Sequence, residues 1–137
     1  METYVFDACS LIAFFEGEPG SDKVRDIIIK ANRGNCIIYI NKINLLEIYY
    51  GFLRDDGRET AEKAFSDVLS LPVSIVDILG DDLIKEAGRI KAVYKVSLAD
   101  SIAIAEAKIR KARLVSSDHH ELDIIDKKGE VDFLWIR

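Results

Sequence analysis

Residues 3–6 (TYVF) and 36–40 (CIIYI) are short, unbroken apolar runs rich in β-branched and aromatic side chains, the pattern of strands buried on both faces. Each leads into a longer stretch with apolar residues at helical spacing. Ala8–Glu16 reads as a helix stopped by Gly17, Pro19 and Gly20, and Ser21 reads as the cap of a second helix running to about Ala31. Val24, Ile27 and Ile28 share one face of it. A helix is predicted from Asn41 to about Arg54 and another over Arg58–Leu71, with Pro72 before a third strand at Val73–Val76. Asp81 then caps a helix with Leu83, Ile84, Ala87 and Ile90 in register. Ser97 caps the next, which runs to about Lys111. Leu114–Ser116 reads as a fourth strand and Phe133–Ile136 as a short fifth, with a loop between them. This alternation predicts an α/β sandwich around a mainly parallel sheet of four to five strands. No repeat, low-complexity stretch or linker divides the chain, so one domain over residues 1–137 is expected.

Composition changes this picture little. The net charge of −5 argues against a simple basic clamp on nucleic acid, yet carboxylates gathered around cations also make a chain look acidic. No apolar run reaches the roughly 18–20 residues of a membrane span. METYVFD lacks the basic start of an export signal, and Cys9 and Cys36 lie in apolar contexts, as free thiols would; both suit a reducing cytoplasm.

The candidate chemistry lies in four acids set in apolar surroundings. Asp7 directly follows the first strand and Asp118 follows the fourth, the strand ends at which open α/β sheets place their sites. Helix caps and loops would also account for either one alone. Glu47 lies on a narrow strip with Asn44, Gly51 and Arg54 that is either solvated, with an Arg54 contact, or turned to a cleft. Asp100 completes a capping box with Ser97, but Ala103, Ile104 and Ala107 surround it on the wheel. Gathered together, four like charges need protons or cations between them. An all-oxygen donor set selects Mg²⁺ or Mn²⁺, ions that acidify water and offset charge during in-line attack on phosphorus.

FDACS, LLEIYYG, LADSIAIA and LVSSD, in that order and spacing, resemble the PIN-domain nucleases, above all the small ribonuclease toxins of VapBC-type toxin–antitoxin pairs. The resemblance spans nearly the whole chain and implies a PIN-like three-layer α/β/α sandwich. It also implies metal-dependent hydrolysis of RNA phosphodiester bonds, a homodimer, and a cognate antitoxin inserted near the acidic pocket. Asp7, Glu47 (with Gly51 four residues on), Asp100 and Asp118 match the family's acids and become the expected catalytic and metal-binding residues. The family often carries Ser or Thr two residues after the first acid. Here that place holds Cys9, a poorer hydrogen-bonding partner, and Ser10 follows it. Ser10, Ser116, Ser117 and Asp123 are expected as supporting residues, with Ser116 favoured over Ser117. Glu121 and Asp123 are near enough in sequence to Asp118 to act as auxiliary acids.

Other features have plainer readings. His119 and His120, adjacent in an extended loop, would point to opposite sides, and there is no third histidine. Phe133 and Trp135 read as core or dimer contacts. The basic residues of the late helices, among them Arg89, Lys108 and Arg110, either line a phosphate path or are solvated faces. The rival functions are a catalytically silent interaction module of the same fold and an aspartyl-phosphate receiver; Asp7 lacks the adjacent acid that a receiver needs.

Overall fold

The computed structural model describes residues 1–137. It contains β1 (Glu2–Phe6), α1 (Ala8–Glu16), α2 (Ser21–Asn32), β2 (Cys36–Asn41), α3 (Lys42–Asp56), α4 (Arg58–Ser70) and β3 (Ser74–Val76). The second half contains α5 (Asp81–Val93), α6 (Leu98–Arg110), β4 (Arg113–Ser116), α7 (His119–Lys127) and β5 (Phe133–Trp135). The sheet order is β3-β2-β1-β4-β5, and every pairing is parallel. The α/β, PIN-like three-layer architecture expected from the sequence is therefore present, with five strands.

The topology follows from right-handed crossovers. From β1 the chain steps outward through β2 to β3, laying α1 to α4 on one face. It then crosses back to β4 and continues to β5, which puts α5, α6 and α7 on the other. The strand side chains divide accordingly. Tyr4, Phe6, Ile38 and Ile40 pack with Leu11, Val24, Ile48 and Val68. Val5 and Leu114 face the opposite layer, with Ile90, Ile104, Leu122 and Ile125. The order in which strands are added across the sheet reverses between β1 and β4, so a crevice opens there beyond the carboxyl ends of the strands.

Several local expectations are corrected. α2 and α5 begin at Ser21 and Asp81 themselves; Gly20 and Gly80 hold the cap positions and neither start has a side-chain cap bond. Gly20 adopts φ +96°, and a Cβ there would lie 2.5 Å from the Ile136 carbonyl oxygen, so the α1–α2 turn can close on the C-terminal segment only without a side chain. The predicted loop after β4 contains α7. Asp118 caps this nine-residue helix, and Leu122 and Ile125, three apart, bury its inner face. On α3 the buried face carries Asn44, Leu45, Ile48 and Phe52, while Leu46, Tyr50 and Leu53 are exposed.

Candidate metal centre

Asp7 is the residue between β1 and α1. Its Oδ1 accepts the Ser10 N–H at 2.9 Å, capping α1, and the Ser10 hydroxyl donates to the Asp7 carbonyl oxygen at 2.9 Å. Its Oδ2 is buried and makes no hydrogen bond of ordinary length. Only 1% of Asp7 is exposed. Burial pushes its carboxyl up to about 6 from the usual 3.8, against the pull of Ser116 and Ser10, and the Asp118 charge adds to the rise. An unpaired buried carboxylate oxygen is expensive unless a proton or a cation meets it.

Asp118 caps α7, its Oδ1 accepting the Glu121 N–H at 3.3 Å, while its own N–H donates to the Ser116 hydroxyl at 3.1 Å. The first turn of α7 thereby turns Glu121 back over the crevice. Carboxylate oxygens of Asp100, Asp118 and Glu121 lie within 4.8 Å of one another. Asp100, buried in the first turn of α6, is pushed well above the carboxylate range, chiefly by burial. A hydrogen bond with Glu121 and the charges of Asp7 and Glu47 add to the rise. Glu47 is half-buried on α3 and is also raised, by burial and by Glu121 and Asp118, with Asn44 opposing. Asp7, Glu47, Asp100, Asp118 and Glu121 thus share one electrostatic environment at the crevice between β1 and β4.

The donor set fits a hard cation. Every group is a carboxylate, one buried oxygen lacks a partner, and the charges of neighbouring acids add to the raised pKa values of Asp7, Glu47 and Asp100. Glu106 is a useful contrast. It is 3% exposed, but Asn41 Nδ2 and Arg110 Nε donate to its two oxygens, both at 2.9 Å. Glu106 ties α6 to the end of β2, and each of its oxygens has a partner.

The supporting residues divide. Ser10 and Ser116 are fully buried beside Asp7. Ser117 is half-buried, and its carbonyl oxygen accepts from the His119 N–H. Asp123 does not join the acids: it is exposed and bonded to His119 Nδ1 at 2.7 Å. One helical turn explains this, since Glu121 lies on the side of α7 facing Asp100 while Asp123 is about 200° further round. Glu121 was visible in the sequence as an acid three residues after Asp118, but its direction depended on the unforeseen helix. The Ser97–Asp100 box is half made: the Asp100 N–H donates to Ser97 Oγ, while the carboxyl turns to the pocket. Arg54 pairs with Asp55 and not with Glu47.

The remaining expectations resolve in the same way. His119 stacks on Trp135 with centroids 3.9 Å apart, and its Nε2 meets the Arg137 carbonyl oxygen at 2.6 Å, so it fastens α7 to β5. Arg89 and Lys108 are engaged with Glu86 and Glu130, and Arg110 with Glu106. None of these three is a free member of a phosphate path.

With this arrangement, strand order and acid placement define a parallel α/β fold bearing a carboxylate pocket at its switch point. The chain belongs to the PIN-domain family, whose pattern matches residues 4–128. Its fold is similar to a chain of VapBC2 from Rickettsia felis bound to a promoter DNA fragment (TM-score 0.76, 16% identity, 97% of this chain and 98% of that one). It is also similar to DNA-bound VapBC from Salmonella typhimurium (TM-score 0.74, 15% identity, 100% of both chains). A third similar structure is VapC20 from Mycobacterium tuberculosis, a Sarcin-Ricin loop cleaving toxin (TM-score 0.63, 16% identity, 88% of this chain and 94% of that one). No curated protein sequence matches this chain.

Proposed function

We propose that this chain is a metal-dependent endoribonuclease, the toxin of a toxin–antitoxin pair, acting as one domain over residues 1–137. The observation that carries the reading is the buried, unpartnered Asp7 Oδ2 at a crevice where Asp100, Asp118 and Glu121 also converge. Asp7, Glu47, Asp100 and Asp118 would hold Mg²⁺ or Mn²⁺, with Glu121 beside them. Such an ion, when bound, acidifies water and offsets negative charge at a phosphodiester. The chain itself supplies orientation and proton storage. Ser10 and the α1 N-terminus hold Asp7, Ser116 and the α7 N-terminus hold Asp118, and Asp100, against Glu121, holds a proton that must leave when a cation binds. Cation uptake should therefore release protons and strengthen with rising pH.

The VapBC and VapC likenesses favour RNA as substrate and a cognate antitoxin seated near the acidic pocket. For a homodimer, the support is an apolar surface along α3, α5 and α6. Ile84 and Leu98, 54% and 63% exposed, line a groove of about 500 Å³ that Ile43 of α3 also borders, and Leu46 on α3 is 56% exposed. No helix is long and apolar enough to cross a membrane, and the two free thiols suit the cytoplasm.

The deciding experiment is cleavage of a mixed, structured RNA pool with Mg²⁺ or Mn²⁺, comparing wild type, Asp100→Asn and an EDTA control. Cleavage by wild type alone is expected. Equal cleavage by Asp100→Asn would reject the site. A folded chain that neither cleaves RNA nor binds Mn²⁺ would instead be a silent interaction module, a reading with a footing in Cys9 at the family's usual Ser or Thr position.

A further inference from the structure

Asn44 belongs to the polar strip of α3 that carries Glu47, yet it is fully buried. Its Nδ2 donates to the Ala99 carbonyl oxygen at 3.1 Å and, at the long distance of 3.5 Å, to Glu47 Oε1. Ala99 directly precedes Asp100 in the first turn of α6. One amide therefore spans two helices and touches the structural support of one pocket acid and the carboxylate of another. Its Oδ1 is buried without a partner.

A purely structural role explains this poorly. The Ala99 carbonyl lies where the helix provides its own donor, the N–H four residues on, so it does not need the Asn44 amide. A leucine of similar size would fill the same space and strand no acceptor. We propose that Asn44 is a positioning residue for the acidic pocket, bracketing α3 to α6 so that Glu47 and Asp100 are held at a fixed separation before a cation arrives. The proposal rests on the metal-site reading above. The bracket acts on charges that repel, and neither carboxylate has a cationic partner that could restrain it instead.

The test is calorimetric titration of Mn²⁺ alone into wild type, Asn44→Leu, Glu47→Gln and the double variant, with melting curves in EDTA. Asn44→Leu should weaken Mn²⁺ binding by about 10-fold or more, as loss of outer-shell support commonly does. Its metal-free Tm should stay level or rise, which a structural role would not give. In the Glu47→Gln background the same change should weaken binding at most a third as much, because one of the two acids being held is gone. Asn44→Ser, with one donor hydrogen in place of two, should fall between wild type and Asn44→Leu, and it answers the question if the leucine variant does not fold. Mn²⁺ affinity within twofold of wild type, or equal losses in both backgrounds, overturns the proposal. So does loss of cooperative folding in both Asn44 variants, which would make the residue structural. Folded wild type that takes up no Mn²⁺ overturns the metal-site reading itself, a result distinct from any change at Asn44.

Discussion

Replacing Asp7 by Asn should stabilise the metal-free protein. Asn caps helices as well as Asp, so the bond from the Ser10 N–H to Oδ1 survives, while the buried charge does not. A carboxyl held at about 6 instead of 3.8 is less favourably ionised in the folded chain than in the unfolded one. The folded protein therefore binds the extra proton, and the penalty is complete above pH 6 and vanishes below 3.8. At one order of magnitude in the ionisation constant per 1.36 kcal/mol, the gain for Asp7→Asn is about 3 kcal/mol at pH 7.5 and about 1 kcal/mol at pH 4.5. For a chain of 137 residues the larger value corresponds to a Tm increase of roughly 6–12 °C. Urea unfolding of both proteins in EDTA, from pH 4.5 to 7.5, measures the gap directly. Adding Mn²⁺ should then raise the wild-type Tm and leave the variant nearly unmoved. A variant less stable than wild type at pH 7.5 in EDTA would refute the reasoning, as would a gap that does not shrink toward pH 4.5.

Three further outcomes are expected. Glu121→Gln should weaken Mn²⁺ binding at least tenfold, whereas Asp123→Asn, losing only an exposed pair with His119, should leave it within twofold; calorimetry separates them. Glu130 has the opposite pH sign to Asp7: bonds from Arg89, Lys108 and Tyr94 pull it down to about 2, so its contribution is complete above 4.5 and lost as pH falls toward 2. Glu130→Gln should cost about 1–2 kcal/mol at pH 7 by urea unfolding, reduced by the exposure of Arg89, and converge on wild type in acid. Gly20→Ala should cost about 1–3 kcal/mol, because the left-handed backbone and the Ile136 carbonyl both exclude a methyl group; an unchanged urea midpoint would contradict this.

The strands TYVF and CIIYI, the cap at Ser97, a helix opening near Asn41 and the parallel architecture were legible because burial on both faces and helical periodicity are local properties of the chain. The same locality made α7 invisible: nine residues with only Leu122 and Ile125 buried are too short a signal, and packing against the sheet stabilises the helix more than its own propensity does. That omission misdirected the choice between Asp123 and Glu121, since an extended segment and a helix send residues two apart in different directions. Local sequence was enough to show which acids lie at strand ends and which lie among apolar neighbours. It could not determine which acids have partners. Glu106 is nearly as deeply buried as Asp7, but Asn41, 65 residues away, and Arg110 partner both its oxygens, whereas Asp7 keeps one oxygen without a bond. That difference arises on folding, because whether a buried charge is satisfied depends on residues brought near in space and not on those adjacent in the chain.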